Sequence, residues 1–589
     1  MSAPAILTPT TEPLIRPDEQ RLPRGAEILV EALLHEGVKA IFGYPGGAVL
    51  HIYDELWRVR DRLPHYLVRH EQGAVHMAEG YARSSGRVGV ALVTSGPGAT
   101  NAITGIANAY MDSTPIVVIT GQVPTPLIGT DAFQEVDTVG ITRPCVKHNY
   151  LVRDVRDLAA VVHEAFHLAS TGRPGPVVID IPKDVSAAST ASSSLEHISF
   201  PCVELRHRPA SKLVTRAVSE ILQAERPVLY VGGGIVSSGA AEELRGLAEA
   251  LQLPVTPTLM GLGAFPSAHP LSLGMLGMHG TYAANMAVAE SDLLIAVGVR
   301  FDDRVTGKLA TFAPGARVIH IDIDEANIGK NRAPDISITA DAREALVDLT
   351  ASVTAREPEI QTSISRREKW WKRIHDWQRE QPLRFSGSSE QIKPQHVIRE
   401  LFRLTDGEAL IVTDVGQHQM WAAQFYPFKR SRQWITSGGL GAMGFGVPAA
   451  IGAQLAKRDQ LVVAVVGDGG FQMTNQELAM AVQYDLPVKI LIMNNGYLGM
   501  VRQWQEMFYD RTYSEVDLSV SPDFVKLAEA YGAFGRRATR PDELADVLAE
   551  GLAHEGVAVL DLVVAKEENV FPIVPAGGNS RDMIVEGDF

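Results

Sequence analysis

Cysteine is nearly absent: Cys145 and Cys202 are the only two in 589 residues. Two are too few for a disulfide framework or a thiolate metal cluster, and such scarcity suits a reducing compartment. No window holds the ~18 apolar residues that a membrane-spanning helix requires, so no membrane partner is expected. Residues 1–23 lack both an apolar signal core and an Arg/Ser-rich amphipathic pattern, so a disordered lead-in and a cytoplasmic location are expected. Positive charge is in deficit, with Lys+Arg 54 against Asp+Glu 69 and a net charge of −15. Without a basic block, no nucleic-acid partner is expected. A G-x-x-x-x-G-K-[ST] loop and a G-x-S-x-G elbow are both missing, which argues against a P-loop nucleotide enzyme and a serine hydrolase.

What is present is an ordinary globular composition, 46% hydrophobic and 21% charged, in a chain long enough for three or four domains. Short β-branched runs alternate with helical patterns from residue 26 to 565. Most of these runs are continuously apolar, as in Val90–Thr94, Ile116–Thr120, Leu461–Val466 and Val488–Met493. Strands buried on both faces read this way, so the expected class is α/β with three doubly wound parallel-sheet domains. Two polar stretches, Ser186–Arg208 and Thr350–Lys393, divide the chain. The expected domains are 24–186, 208–345 and 393–565, with a linker over 346–392 and a tail over 566–589.

The first and third blocks share a faint repeat. Each has a strand, a Gly-rich turn (Ser-Gly-Pro-Gly at 95–98, Gly-Asp-Gly-Gly at 467–470), a helix and a second strand. Chance similarity between two βαβ units would also produce it. In the third block Asp468 and Asn495 lie 27 residues apart, close to the ~30 residues of one βαβ crossover. Both side chains should therefore emerge at the carboxyl ends of neighbouring strands, where open parallel sheets bind ligands. Their oxygens suit Mg²⁺, and a helix starting at Asn475 is expected to aim its N-terminus at a diphosphate there. Gly-Asp-Gly alone would also suit a turn and helix cap.

This constellation resembles the thiamin-diphosphate site of the ThDP-dependent enzymes. The resemblance implies metal ligation by Asp468, Asn495 and the carbonyl of Tyr497. It also implies a glutamate on the amino-terminal block that bonds the aminopyrimidine ring, for which Glu71 in LVRHEQ is the candidate. An acid favoured by a helix dipole is the plain alternative for Glu71. Met443, in GGLGAMGFG, matches the apolar prop beneath the cofactor, though a core methionine would also fit. Gln417, His418, Gly469 and Gly470 complete the implied ThDP contacts.

Further stretches are similar to the catalytic subunit of the acetohydroxyacid synthase (acetolactate synthase) family, over about residues 24–575. They include GYPGGA at 43–48, TSGPGATN at 94–101, GTDAFQE at 129–135, GMLGMHG at 274–280, RFDDRVTGK at 300–308 and NNGYLGMVRQWQ at 494–505; GMLGMHG with RFDDRVTGK discriminates best. The resemblance implies a pyruvate decarboxylase/oxidase-like architecture. It implies decarboxylation of pyruvate and condensation with a second pyruvate or 2-ketobutyrate, giving 2-acetolactate or 2-aceto-2-hydroxybutyrate for valine, leucine and isoleucine synthesis. Arg304 would hold the acceptor carboxylate, Trp504 would pack on the acceptor side chain, and Gln134, Phe133, Gly47 and Lys183 would line the substrate pocket. The middle block would bind FAD through Arg173, Gly232, Gly233, Thr258, Leu259, Met278, His279, Gly298, Arg300, Asp322 and Asp341. The tail would lie over the active site. A homodimer or homotetramer is implied, with a possible small regulatory subunit. The alternative is a flavin-active pyruvate oxidase.

Overall fold

A computed structural model describes residues 22–191 and 208–585. Nearly all of the expected lead-in, and Cys202, lie outside these residues.

The described chain forms three parallel sheets. The first contains β1 (Ile41–Gly43), β2 (His65–Leu67), β3 (Gly89–Val93), β4 (Ile116–Gln122), β5 (His148–Leu151) and β6 (Pro176–Pro182), in the order 2-1-3-4-6-5. The middle sheet contains β7 (Pro227–Val231), β8 (Val255–Pro257), β9 (Leu293–Val297), β10 (Arg317–Asp322) and β11 (Ile336–Thr339), in the order 11-10-9-7-8. The third contains β12 (Leu410–Thr413), β13 (Trp434–Ile435), β14 (Val462–Gly467), β15 (Lys489–Asn494), β16 (Phe534–Ala538) and β17 (Ala558–Val563), in the order 13-12-14-15-17-16. The third order repeats the first, strand for strand. The faint sequence repeat is thus a repeat of whole topology.

The expected all-apolar strands are buried throughout: β3, β4, β6, β7, β9 and β14 have no exposed residue. With helices on both faces, such strands leave no solvent face to require alternation. Each sheet has a central point where the connections from two adjacent strands run in opposite directions: between β1 and β3, between β7 and β9, and between β12 and β14. The carboxyl ends at such a point open a crevice between diverging loops.

The first and third units share one hydrophobic core. Helix Glu71–Ser85 follows β2, and helix Gly446–Ala456 follows β13, so the two are equivalent in the repeat. They cross with backbones in direct contact. A Cβ on Gly80 would overlap the Ala449 carbonyl, and one on Gly452 would overlap that of Met77. Only glycine permits this approach.

The expected linker over 346–392 needs correction. Most of it is helical, in Ala342–Thr354, Glu357–Arg366 and Glu368–Glu380. Trp370, Ile374 and Trp377 are buried beside Tyr230 and Phe301 of the middle unit. Arg367 is fully buried and donates to the carbonyls of Ile221, Ala224 and Leu251. The charged residues that made the stretch read as a linker lie on the outer face or, like Arg367, satisfy ends of chain around it.

Candidate functional site

The third unit's reversal point carries the first set of residues. β14 and β15 pair in parallel with Gly467 opposite Met493, so Asp468 and Asn495 leave neighbouring strand ends. Both are buried. Asn495 Oδ1 accepts from the Tyr497 backbone N–H at 3.0 Å, and its Nδ2 donates to Gln417 Oε1 at 3.3 Å. Asp468 Oδ2 has no hydrogen-bond partner. Burial pushes its carboxyl up to about 7. An unanswered buried carboxylate oxygen is costly, and a hard cation with oxygen ligands resolves that cost. The residues therefore fit Mg²⁺.

The helix facing this point begins at Asp468, with Gly467 as its N-cap, and runs to Thr474. The expected start at Asn475 is corrected: Asn475–Glu477 is a 3₁₀ turn leading to Leu478–Gln483. Gly470 lets Asp414 pack against the start of this helix, since a Cβ there would overlap Asp414 Oδ1. Asp414, absent from the expectations, follows β12 and accepts from Gly444 N at 3.0 Å and Gly446 N at 2.8 Å. It thereby holds the loop that carries Met443. The Met443 Cε lies 3.6 Å from where a Cβ on Gly469 would stand, with Leu498 and Leu518 on the same side.

Gln417 and His418 open the helix that follows β12. The Gln417 amide is committed: Nε2 donates to Gln503 Oε1 at 2.9 Å and to the Glu568 carbonyl at 3.0 Å. It braces Asn495 and presents no spare donor. The His418 ring is wedged against Gly416 and Gly467. Its Nε2 is buried without a partner, and burial pushes its pKa down to about 3, so the ring is neutral.

Glu71 starts its helix after β2, buried, and accepts from Asn101 Nδ2 at 3.0 Å. The segment before it is held from the third unit. Glu477 accepts from the Arg69 N–H at 3.1 Å and the His70 N–H at 3.0 Å. Burial pushes Glu477 up to about 7. Nothing in the sequence marks this residue, because its partners are backbone groups some 407 residues away. Gln134 has φ +60° and its backbone lies against Gly96, while Gly98 borders Glu71. Phe133 is 88% exposed. Gly47 faces open space, and Lys183 begins the short helix after β6. These residues rim the first sheet. Among the described residues no hydrogen bond joins them or Glu71 to Asp468.

Arg304 and Trp504 come from the middle and third units and meet: the guanidinium carbon lies 5.6 Å from the indole centroid. The Arg304 carbonyl accepts from Met278 N at 2.7 Å. The tail lies along the same segment. Val574 N donates to the Met278 carbonyl at 2.8 Å, Lys308 N donates to that of Gly578 at 3.0 Å, and His279 Nδ1 sits 3.2 Å from the Pro572 carbonyl. Buried there, His279 is pushed down to about 4.

The middle crevice is formed by Gly232–Gly234 after β7 and Gly298 after β9. Gly298 has φ +60°, and its α-carbon lies against that of Gly234. A Cβ on Gly233 would meet only Met260, so a cradle of bare backbone faces the crevice. Thr258 caps the turn Leu259–Gly261 beside it. Arg173 reaches in from the first unit, donating to Ser113 Oγ at 2.8 Å and lying 3.4 Å from Asp324. Asp322 is buried and pushed up to about 6, and Arg300 pairs with Asp302 at 2.5 Å. Asp341 is engaged in capping helix Ala342–Thr354. A dinucleotide such as FAD fits the cradle; Asp341 has a sufficient structural role without one.

Three family descriptions match this chain in order. They are the thiamine pyrophosphate enzyme N-terminal TPP binding domain over 23–141, the central domain over 214–349 and the C-terminal TPP binding domain over 414–562. The acetolactate synthase isozyme 3 large subunit of Escherichia coli (strain K12) is 50% identical over 570 residues, covering 95% of this chain and 98% of the relative. The acetolactate synthase large subunit of Haemophilus influenzae is 48% identical, with 95% and 98% covered. The chloroplastic acetolactate synthase 1 of Zea mays is 49% identical, with 96% and 89% covered.

Proposed function

This chain belongs to the acetolactate synthase large-subunit family of thiamine pyrophosphate enzymes, and from that premise we propose how its residues divide the work. The enzyme condenses 2-ketoacids, with pyruvate as donor, at the head of branched-chain amino-acid synthesis. Bound thiamin diphosphate supplies the acyl-anion chemistry. Asp468, Asn495 and the Tyr497 carbonyl would hold Mg²⁺, a hard cation that would supply the positive charge a diphosphate needs. The observation that carries this reading is the buried, unpartnered Asp468 Oδ2 beside Asn495 in a reversal-point crevice. His418 Nε2, neutral and unpaired, can serve a ligand there without adding charge. Met443, Leu498 and Leu518 would form an apolar platform for the cofactor. The Gln417 side chain would position Asn495, and its place at the start of the helix after β12 would leave its backbone to meet the cofactor.

Glu71 would hold and move the proton that the cofactor's pyrimidine ring exchanges. It belongs to the other half of the site, so we propose a homodimer in which the first unit of one copy faces the third unit of another. Apolar side chains left in water around the third-unit crevice support that: Leu440, Met473 and Val501 are 44%, 53% and 51% exposed. Arg304 would take the acceptor carboxylate and Trp504 the acceptor's alkyl end. FAD would lie in the Gly232/Gly298 cradle. The relatives' large-subunit names suit a small partner subunit. No helix among the described residues is long and apolar enough to cross a membrane, which is compatible with a cytoplasmic location. The flavin-oxidase alternative is not favoured: the three relatives described above are named acetolactate synthases.

The test is product identification. With ThDP and Mg²⁺, pyruvate should yield 2-acetolactate, and added 2-ketobutyrate should yield 2-aceto-2-hydroxybutyrate. Acetate or acetyl phosphate as the main product would overturn the reading.

A further inference from the structure

The far side of the first unit carries a cluster that the condensation does not use. Helix Gly25–His35 ends at His35, Glu36 is its C-cap, and His163 projects from helix Leu158–Ser170. A ring nitrogen of each histidine and a carboxylate oxygen of Glu36 all lie within 4.8 Å of one another. The two rings meet edge to face with centroids 5.1 Å apart. Glu36 Oε1 contacts His163 Nδ1. His163 is only 9% exposed, and its Nε2 is buried with no hydrogen-bond partner.

We propose that His35, Glu36 and His163 bind one first-row transition-metal ion per chain, zinc being the best match. Two imidazoles and a carboxylate are borderline ligands that suit Zn²⁺, Co²⁺ or Ni²⁺, whereas Mg²⁺ prefers oxygen ligands alone. Glu36 Oε1 and His163 Nδ1 face each other directly, so an ion bound by both atoms would take the place of the proton between them. The end of a helix also favours a cation. His163-Glu164-Ala165-Phe166-His167 is H-E-x-x-H on a helix, a spacing that places two histidines on one face. His167 lines the same open cavity of about 860 Å³ as His35, Glu36 and His163.

The site is not a hydrolytic centre. Glu164, which a metalloprotease would use as base, does not line the cavity and instead lies beside Tyr150. The ion would clamp the two helices together, independently of the condensation proposed above. Lys39 and Arg87 also line the cavity. They oppose a cation and make an anion the competing occupant.

The experiment uses the untagged full-length protein, treated with chelator and returned to buffer containing ThDP and Mg²⁺. Zinc is titrated by calorimetry, and Co²⁺ is followed by visible absorption. The expected result is one ion per chain, with a Co²⁺ spectrum of low coordination number. His163→Ala should weaken zinc binding by roughly 100-fold and Glu36→Gln by roughly 10–100-fold, the range for lost metal-site partners. His35→Gln, at an exposed position, serves as the variant least able to disturb folding and should weaken binding comparably. Asp468→Ala should leave the zinc stoichiometry unchanged. The proposal is overturned if zinc fails to bind, or binds equally to His35→Gln and His163→Ala. It is also overturned if inorganic phosphate, and not zinc, raises the melting temperature in a His163-dependent way.

Discussion

The Arg304 guanidinium carbon stands 5.6 Å from the centre of the Trp504 indole ring, joining the middle unit to the third. The two residues proposed to hold opposite ends of the acceptor are therefore coupled. Trp504→Leu should lower the ratio of 2-aceto-2-hydroxybutyrate to 2-acetolactate in a two-substrate competition by about 10-fold or more, the range for discriminating one methylene. Arg304→Ala should weaken both acceptors alike. A double-mutant cycle should return a coupling of about 0.5–2 kcal/mol, as for a cation over a half-buried ring. An unchanged ratio in Trp504→Leu would refute the assignment.

Asp468→Ala removes the carboxylate with the unpartnered oxygen. It should abolish Mg²⁺-dependent retention of thiamin diphosphate while the chain stays folded, because a buried charge is lost and not created. Calorimetry with the cofactor, with and without Mg²⁺, checks this. Undiminished cofactor affinity would reject the metal assignment.

Glu71→Ala should leave cofactor binding measurable and cut turnover by about 10²–10⁴, the usual range for a proton-transfer group. Steady-state rates at saturating cofactor decide it. A loss below threefold would remove Glu71 from the proton path.

Glu477 gives a pH dependence. Its folded-state pKa, about 7, lies above the ordinary glutamate value, so the folded chain holds a proton there that the unfolded chain has released. That advantage is complete below the unfolded value and is lost as pH rises towards 7. Glu477→Gln cannot ionise. Relative to the variant, the native protein should lose up to about 3 kcal/mol between pH 4.5 and 7.5. Paired melting curves across that range test it, and parallel curves would contradict it.

Gly80→Val should break the contact between the first and third units, since its side chain would enter the Ala449 backbone. Overpacking typically costs 1–3 kcal/mol, and here both partners are backbone, so about 3 kcal/mol or more is expected. Gly246→Val, in open space, is the control on a helix. Equal denaturation midpoints for the two would count against the close crossing.

Much of this was legible in the chain itself. The apolar runs announced parallel strands, and the 27-residue spacing put Asp468 and Asn495 at neighbouring strand ends, because both follow from local periodicity and the length of one crossover. The Gly-rich turns hinted at the repeat for the same reason. What tertiary structure alone decided depends on partners distant in sequence. Charge along 346–392 read as a linker, but Trp370, Trp377 and Arg367 are buried because the middle unit offers them a surface. Gln417 lost its spare donors to Gln503 and Glu568, and Asp341 became a helix cap. Glu477 found its role in the backbone ahead of Glu71, and His35 met His163 only when two helices packed. A single sequence records periodicities within an element; which polar groups are left unpaired is settled only when distant elements pack and take each other out of water.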